Sequence, residues 1–128
     1  MTTDTARTLE SEVRTLAESA KSPGLVAAAE LACDTVRRAY AALETVSRGE
    51  RDETEAAARG IALTLARSLE LSLLARHAQW SLDQEQDGRA ELAAQVFAQQ
   101  GVDRLLPRES LAKIAALADD RPLFDGER

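Results

Sequence analysis

The sequence predicts an all-α fold, an up-and-down bundle of four main helices with a short fifth helix. Three observations carry this prediction. Ala, Leu, Glu and Arg, which favour helices, dominate the chain. Apolar residues recur at spacings of three and four along most of its length. Glycine and proline stand mainly where these periodic stretches end, and no stretch reads as a strand.

The chain of 128 residues is expected to form one domain over residues 1–128, with flexible ends at about residues 1–3 and 119–128. A chain of this size buries roughly two thirds of the surface that its unfolded state exposes, so it can form a core without disulfides. The single cysteine, Cys33, excludes an intrachain disulfide. We interpret Cys33 as a small buried side chain rather than a reactive thiol.

Composition and charge argue against several classes of function. The net charge is −6, with 22 acidic and 16 basic residues, and only 3% of the chain is aromatic, so binding to nucleic acid is not expected. The most apolar stretch, residues 61–80, contains Arg67, Glu70, Arg76 and His77, so no membrane-spanning helix is expected. The first residues lack a basic segment followed by an apolar one. No signal peptide is therefore predicted, and a cytoplasmic location is expected.

The first two helices are separated by the stretch "KSPG". The first is predicted over about residues 4–21, with apolar positions at Leu9, Val13, Leu16 and Ala20. Ser22 is a good N-cap, and Pro23 suits the first turn of a second helix that ends at Gly49. The second helix carries a near-regular heptad seam of Leu25, Ala29, Ala32, Val36, Ala39, Leu43 and Val46.

The third helix is predicted to be the centre of the bundle. It runs from a capping box of Asp52 and Glu55 to about Gln86 and is apolar on almost all sides. At about 100° per residue, the side predicted to face the interior carries Leu65, Leu69, Leu73 and Trp80. Other sides carry Ile61, Leu71 and Leu82. The turn "DQEQDG" precedes a fourth helix over about residues 89–100, and the short fifth helix begins at Pro107.

No catalytic or metal-binding residues are predicted. A di-iron site of the ferritin type needs Glu-x-x-His pairs on two helices, but His77 is the one histidine and residue 74 is leucine. Nucleophilic catalysis by serine or cysteine would need the same histidine. Neither a Gly-x-Ser-x-Gly elbow nor a glycine-rich phosphate loop occurs.

A polar stripe interrupts the third helix. Arg59, Glu70 and His77 project within about 20° of one another, and Arg67 lies nearby. Arg67 and Glu70 are three residues apart and can pair. Three alternatives stay open for this stripe. It faces water, it faces a partner or a ligand, or it forms a buried ion-pair network. A second strip, interpreted as close helix packing, consists of Thr64, Ser68 and Ser72.

The stretch "QVFAQQG" and the residues after it carry a resemblance. Gln95, Val96, Phe97 and Gly101 match the motif Gln-aliphatic-Phe-Gly-Gly-x-Gly, in which Ala98 and Gln99 here replace two glycines. A second motif, Pro-x-Glu-x-Leu-x-Arg, follows the first. It is matched loosely by Pro107, Glu109, Leu111 and Lys113. Both motifs follow a long helix that begins with an arginine. Over about residues 23–124, the chain thus resembles the C-terminal helical domain of acyl-CoA dehydrogenases.

The resemblance implies that Gln95, Phe97 and Gly101 correspond to a segment that helps to hold the FAD of a neighbouring subunit. The side chains of Ala98 and Gln99 obstruct the close backbone approach that glycines allow. The family often carries its catalytic glutamate in a Tyr-Glu-Gly, whereas this chain offers only "FDG" at a displaced spacing, so no base is assigned to Asp125. The family's N-terminal helical domain and middle β-domain have no counterpart in these residues. FAD is therefore expected only together with a partner.

Three interpretations stay open. The chain is a subunit that completes a split dehydrogenase-like enzyme with a flavin-carrying partner. Or it is a non-catalytic assembly module that keeps the family's helix-packing surface and associates with itself or with a homologous partner. Alternatively, it is an unrelated bundle for protein interaction or for a small apolar ligand. The seam from Leu25 to Val46 is a candidate association surface unless it is used within the bundle.

Overall fold

The computed structural model describes residues 3–46, 48 and 51–117. Five helices occupy most of this part: α1 (Thr3–Ala17), α2 (Pro23–Val46), α3 (Arg51–Glu85), α4 (Arg89–Gln99) and α5 (Arg108–Leu117). The described ranges contain no strand, so the all-α prediction is confirmed. The predicted flexible end at residues 119–128, including Asp125, lies outside the described residues.

Helix α3 is the centre of the bundle, as the sequence predicts. This 35-residue helix packs against α1, α2, α4 and α5, and its most extensive contact is with α2. In the described residues, α1 and α4 do not contact each other. No helix in the described ranges is long and apolar enough to cross a membrane.

The heptad seam of α2 is used within the bundle. Its buried members are Leu25, Ala29, Ala32, Val36 and Ala39. Leu43 and Val46 are half-buried and pack against the same core. The sequence leaves two alternatives for this seam, association with another chain or packing within the bundle. The structure shows packing within the bundle, so the seam is not a free association surface.

Small hydroxyl residues lie on the buried side of α3, among buried apolar side chains. Thr64, Ser68 and Ser72 are fully buried, as the packing interpretation requires. The hydroxyl oxygens of Ser68 and Thr35 lie 2.6 Å apart across the contact between α3 and α2. Thr35 also bonds to backbone carbonyls of its own helix, and Thr64 donates to the Gly60 carbonyl at 2.8 Å. Their short side chains allow the two long helices to approach closely while all these polar atoms have partners.

The prediction that one side of α3 faces the interior with all its large residues is wrong. Leu65 is buried, at 1% exposed, and Leu69 is half-buried. Leu73 and Trp80 are 46% and 52% exposed. Each step of four residues turns the helix by about 40° beyond a full turn, so this row of leucines winds out of the core.

The helix boundaries differ from the prediction at the turn between α1 and α2. Helix α1 ends at Ala17 rather than near residue 21. The Oε1 atom of the buried Gln79 on α3 accepts hydrogen bonds from the backbone N–H groups of Lys21 and Ser22, at 2.8 and 3.0 Å. The Ser22 hydroxyl, predicted as an N-cap, donates instead to the Glu91 carboxylate on α4. This turn is therefore fixed by contacts from distant helices.

Helix α3 begins at Arg51, one residue before the predicted capping box. Asp52 consequently lies inside the first turn of the helix, and its side chain lies outside the described part of the chain.

Candidate functional site

The polar stripe on α3 divides into two parts. Arg59, Glu70 and His77 are exposed to solvent. Arg67 is half-buried and turns toward α4. The stripe is therefore not a buried ion-pair network, and Arg67 has a different environment from the other three residues.

Arg67 contacts two of the three residues singled out by the resemblance. Its Nε atom donates a 2.7 Å hydrogen bond to the carbonyl oxygen of Gly101. Its guanidinium carbon lies 4.4 Å from the centre of the Phe97 ring, within cation–π distance. The predicted pair with Glu70 is replaced by these contacts. We call Arg67, Phe97 and Gly101 the arginine clamp.

The loop that follows α4 lies directly on α3. Gly101 has a φ of +95°, a conformation that favours glycine, and it terminates the helix. The backbone N–H of Arg104 donates to the buried Thr64 hydroxyl at 2.8 Å. A Cβ atom added to Gly60 would lie only 2.6 Å from the Arg104 carbonyl oxygen. Contact between this loop and α3 therefore needs glycine at position 60.

Further contacts hold the same loop against the bundle. Val102 is buried in the core. Asp103 forms an ion pair with Arg38 of α2 and also accepts a 2.9 Å hydrogen bond from the backbone N–H of Leu105. The loop is thus attached to both long helices.

Gln95 lies away from the arginine clamp. Its side chain faces α2, where a Cβ atom added to Gly24 would lie 2.3 Å from Gln95 Nε2. Residues two apart on a helix point in directions about 160° apart, so Gln95 and Phe97 project from opposite sides of α4. The structure therefore brings Phe97 and Gly101 together and places Gln95 elsewhere.

Large apolar side chains surround the exposed part of the polar stripe. Leu63, Leu73 and Trp80 are exposed on α3, and the His77 ring stacks on Trp80 with ring centres 5.9 Å apart. A shallow groove of about 490 Å³ runs between α3 and α4, and its lining includes Leu74, Leu92, Ala93, Val96 and Phe97. The groove extends this apolar surface from α3 onto α4.

A second groove, of about 390 Å³, lies between α1 and α2. Its apolar lining consists of Ala17, Ala20, Val26 and Ala29, beside Cys33. Cys33 is half-buried, rather than buried as predicted. Burial raises the pKa of its thiol, so the thiolate that a nucleophile needs is disfavoured.

Among the described residues, no three His, Cys, Asp or Glu side chains come together in a way that could hold a metal ion.

A comparison with known families identifies the kind of domain. The family described as acyl-CoA dehydrogenase 11 C-terminal domain-like matches residues 5–120. The chain belongs to this family. No match was found among curated proteins or among solved structures. The resemblance drawn from the "QVFAQQG" stretch is therefore confirmed at the level of the family.

In this acyl-CoA dehydrogenase C-terminal-like domain, the roles of individual residues stay predictions. They concern cofactor contact by Gln95, Phe97 and Gly101, and a partner-facing or ligand-facing role for the polar stripe.

Sequence reasoning missed the arginine clamp and the Gln79 contacts, because their partners lie 34 and 57–58 residues apart. Gly60 is a sequence signal for the contact between α3 and the loop after α4, since a glycine inside a helical pattern often marks a close approach of another chain segment.

Proposed function

We propose that this acyl-CoA dehydrogenase C-terminal-like domain is a cytoplasmic helical subunit with no catalytic activity of its own. It acts by packing against a second copy of itself or against a flavin-carrying dehydrogenase-like partner. One observation carries the non-catalytic part of the proposal. The residues through which the resemblance would bring FAD to this chain are engaged with the chain itself.

The fit of a flavin to these residues is poor. The Phe97 ring is covered by the Arg67 guanidinium, and the Gly101 carbonyl accepts the Arg67 hydrogen bond. Gln99 stands where the family motif has a glycine, and a side chain there prevents close approach of a pyrophosphate to the backbone. Gln95 faces α2. These residues do not form one surface for a flavin.

The polar side chains of the described part also support a non-catalytic role. His77 is exposed, and its ring stacks on Trp80 rather than facing a nucleophile. The Cys33 thiol has a raised pKa and thus a low fraction of thiolate. General acid–base and nucleophilic catalysis both need a positioned pair of such groups.

The test uses the purified full chain, without and with any partner that co-purifies. An absorption spectrum between 300 and 550 nm detects bound flavin, and oxidation of acyl-CoA with an artificial electron acceptor detects catalysis. We expect neither a flavin band nor turnover from the chain alone. A stoichiometric flavin band or turnover by the isolated chain would overturn the proposal. Arg67→Met sharpens this test, because it uncovers the Gly101 carbonyl and should still give no flavin band.

The groove between α1 and α2 favours one second candidate, the binding of a small apolar ligand. Its volume of about 390 Å³ lies in the range of ligand sites, which is roughly 300–1,000 Å³. Cys33 lines the groove, so a bound ligand should slow the reaction of Cys33 with a maleimide. We expect medium-chain fatty acids and their CoA esters to leave the labelling rate unchanged. A saturable decrease would favour the ligand-binding function.

A further inference from the structure

The outward face of α3 carries a heptad repeat that the bundle does not use. Eight residues lie at alternating spacings of four and three, and every one of them is exposed. They are Arg59, Leu63, Ala66, Glu70, Leu73, His77, Trp80 and Gln84. This spacing is the one at which a helix presents a continuous seam to a second helix. We call these eight residues the outer seam.

We propose that the outer seam pairs with the outer seam of a second copy of this chain. The two α3 helices run antiparallel around a two-fold axis that passes between Glu70 and Leu73. This inference rests on the association part of the proposed function and names its surface. A two-fold interface uses the same patch on both copies, so the patch must be complementary to itself.

The sequence of the outer seam meets that requirement. An axis at the middle of the seam gives the longest overlap and places Leu63 opposite Trp80 of the second copy. The small Ala66 then lies opposite the larger His77 of the second copy. The two large apolar side chains thus pack on each other, and the small Ala66 leaves room for the His77 ring of the second copy.

Charge also favours a second copy. The chain has a net charge of −6, yet the outer seam carries one Arg, one Glu and one His. In the antiparallel arrangement, Glu70 lies about 6 Å along the helix axis from His77 of the second copy, within reach of these side chains. Arg59 lies opposite the uncharged Gln84 of the second copy. The excess acidic charge of the chain is therefore largely kept away from this contact.

The surface is large enough for a specific dimer of moderate affinity. The outer seam spans 25 residue steps, or about 38 Å of helix. Leu92 and Val96 extend the apolar surface onto α4, which makes it about 20 Å wide. The α4 part is only 11 residues, or about 16 Å, long. The area is therefore roughly 540 Å² per copy, which places the dimer just above the ~1,000 Å² of total buried surface that a specific interface needs.

The first experiment measures the oligomeric state of the full chain by light scattering and sedimentation over a range of concentrations. We expect a dimer whose dissociation constant rises at least tenfold in Leu73→Lys. The matched control is Leu117→Lys, since Leu117 is 70% exposed on α5 and lies outside the outer seam. Circular dichroism establishes that both variants fold. Dimerisation of Leu73→Lys with unchanged affinity would overturn the inference.

A second experiment tests the orientation. In a Cys33→Ser background, Leu63→Cys and a size-tagged Trp80→Cys are mixed and oxidised. The antiparallel arrangement predicts a disulfide-linked heterodimer. It predicts no Leu63→Cys homodimer, because the two copies of position 63 lie about 25 Å apart along the helices. Homodimers of each single variant, as a parallel pairing gives, would contradict the inference.

The outcomes separate this inference from the proposed function. A dimer that forms through another face overturns the inference and leaves the proposed function standing. A strict monomer at high concentration overturns the inference as well, and restricts the proposed function to a flavin-carrying partner. A flavin band from the isolated chain overturns the proposed function without affecting the dimer.

Discussion

Replacement of Gly60 by alanine is the sharpest test of the contact between α3 and the loop after α4. Alanine is the better helix former, so at an exposed helical site this change stabilises a protein by about 0.5–1 kcal/mol. At Gly60, the new Cβ atom would lie 2.6 Å from the Arg104 carbonyl oxygen. A backbone atom cannot rotate away, so the loop itself has to move.

The size of the effect follows from what that movement breaks. The Arg104 N–H bond to Thr64 lengthens, and one such bond contributes about 0.5–1.5 kcal/mol. Val102, buried nearby in the same loop, loses part of its packing. Overpacking of this kind costs about 1–3 kcal/mol. After subtraction of the gain in helix propensity, Gly60→Ala should lower the free energy of unfolding by about 1–2 kcal/mol.

The assay is urea unfolding followed by circular dichroism, with thermal melts in parallel. A net loss of this size lowers Tm by about 3–10 °C for a domain of this length. Two other glycines serve as controls. Gly24→Ala meets only the end of the flexible Gln95 side chain, and Gly88→Ala meets no atom within 4 Å. Gly24→Ala, inside α2, should leave the free energy of unfolding unchanged or raise it by up to about 1 kcal/mol. Gly88→Ala, at the N-cap of α4, should lower it by no more than about 1 kcal/mol. If Gly60→Ala is as stable as the Gly24→Ala control, the proposed loop contact is refuted.

Three further predictions concern stability and ionisation. Gln79→Leu should cost about 1–3 kcal/mol in urea unfolding, because two backbone N–H groups lose their acceptor; a smaller loss would mean that water replaces the amide. Leu65→Ala should cost about 2–5 kcal/mol, whereas Leu73→Ala should stay within about 0.5 kcal/mol at concentrations where the chain is monomeric. Equal costs would contradict the assigned orientation of α3. The Arg89 side-chain hydrogen bond, aided by its backbone N–H, lowers the pKa of Asp87 to about 2. The stabilisation from this pair is therefore present above the unfolded pKa of ~3.9 and is lost as the pH falls toward 2, which a carboxyl NMR titration measures. Arg89→Ala should return the midpoint to its usual range, and an unchanged midpoint would contradict the assignment.

The helices themselves could be predicted closely from the sequence. Pro23 marks the start of α2, and the predicted bounds of α4 differ from the observed ones by one residue at most. Such signals are local, since a proline or a glycine acts on the backbone within a few residues. The end of α1 differs from the prediction because Gln79, on another helix, accepts hydrogen bonds from two N–H groups of the following turn.

The orientation of α3 is harder to predict, because large apolar residues do not mark its interior. Leu73 and Trp80 are exposed, while the small Ser68 contacts Thr35 of α2 and the small Thr64 contacts the loop after α4. Periodicity shows which residues share a side of a helix but not which side meets a neighbour. When a neighbouring helix is rich in alanine, close packing favours the side with small residues.

The candidate site shows the same limit. Spacing along one helix grouped Arg67 with Glu70, three residues away. The structure pairs Arg67 with Phe97 and Gly101 of another element. A half-buried guanidinium needs acceptors, and the first loop carbonyl after α4 supplies one. No pattern within a single helix contains that information.

The arginine clamp and the loss of the motif glycines have one physical explanation. A glycine-rich stretch ends a helix early and leaves its backbone open to a ligand. With Ala98 and Gln99 in place of glycines, α4 continues to Gln99, and Gly101 at a φ of +95° is the residue that stops it. The Gly101 carbonyl then points back to α3, where Arg67 donates to it. Backbone that is open to a cofactor in the family motif thus becomes, in this chain, a contact between two of its own helices.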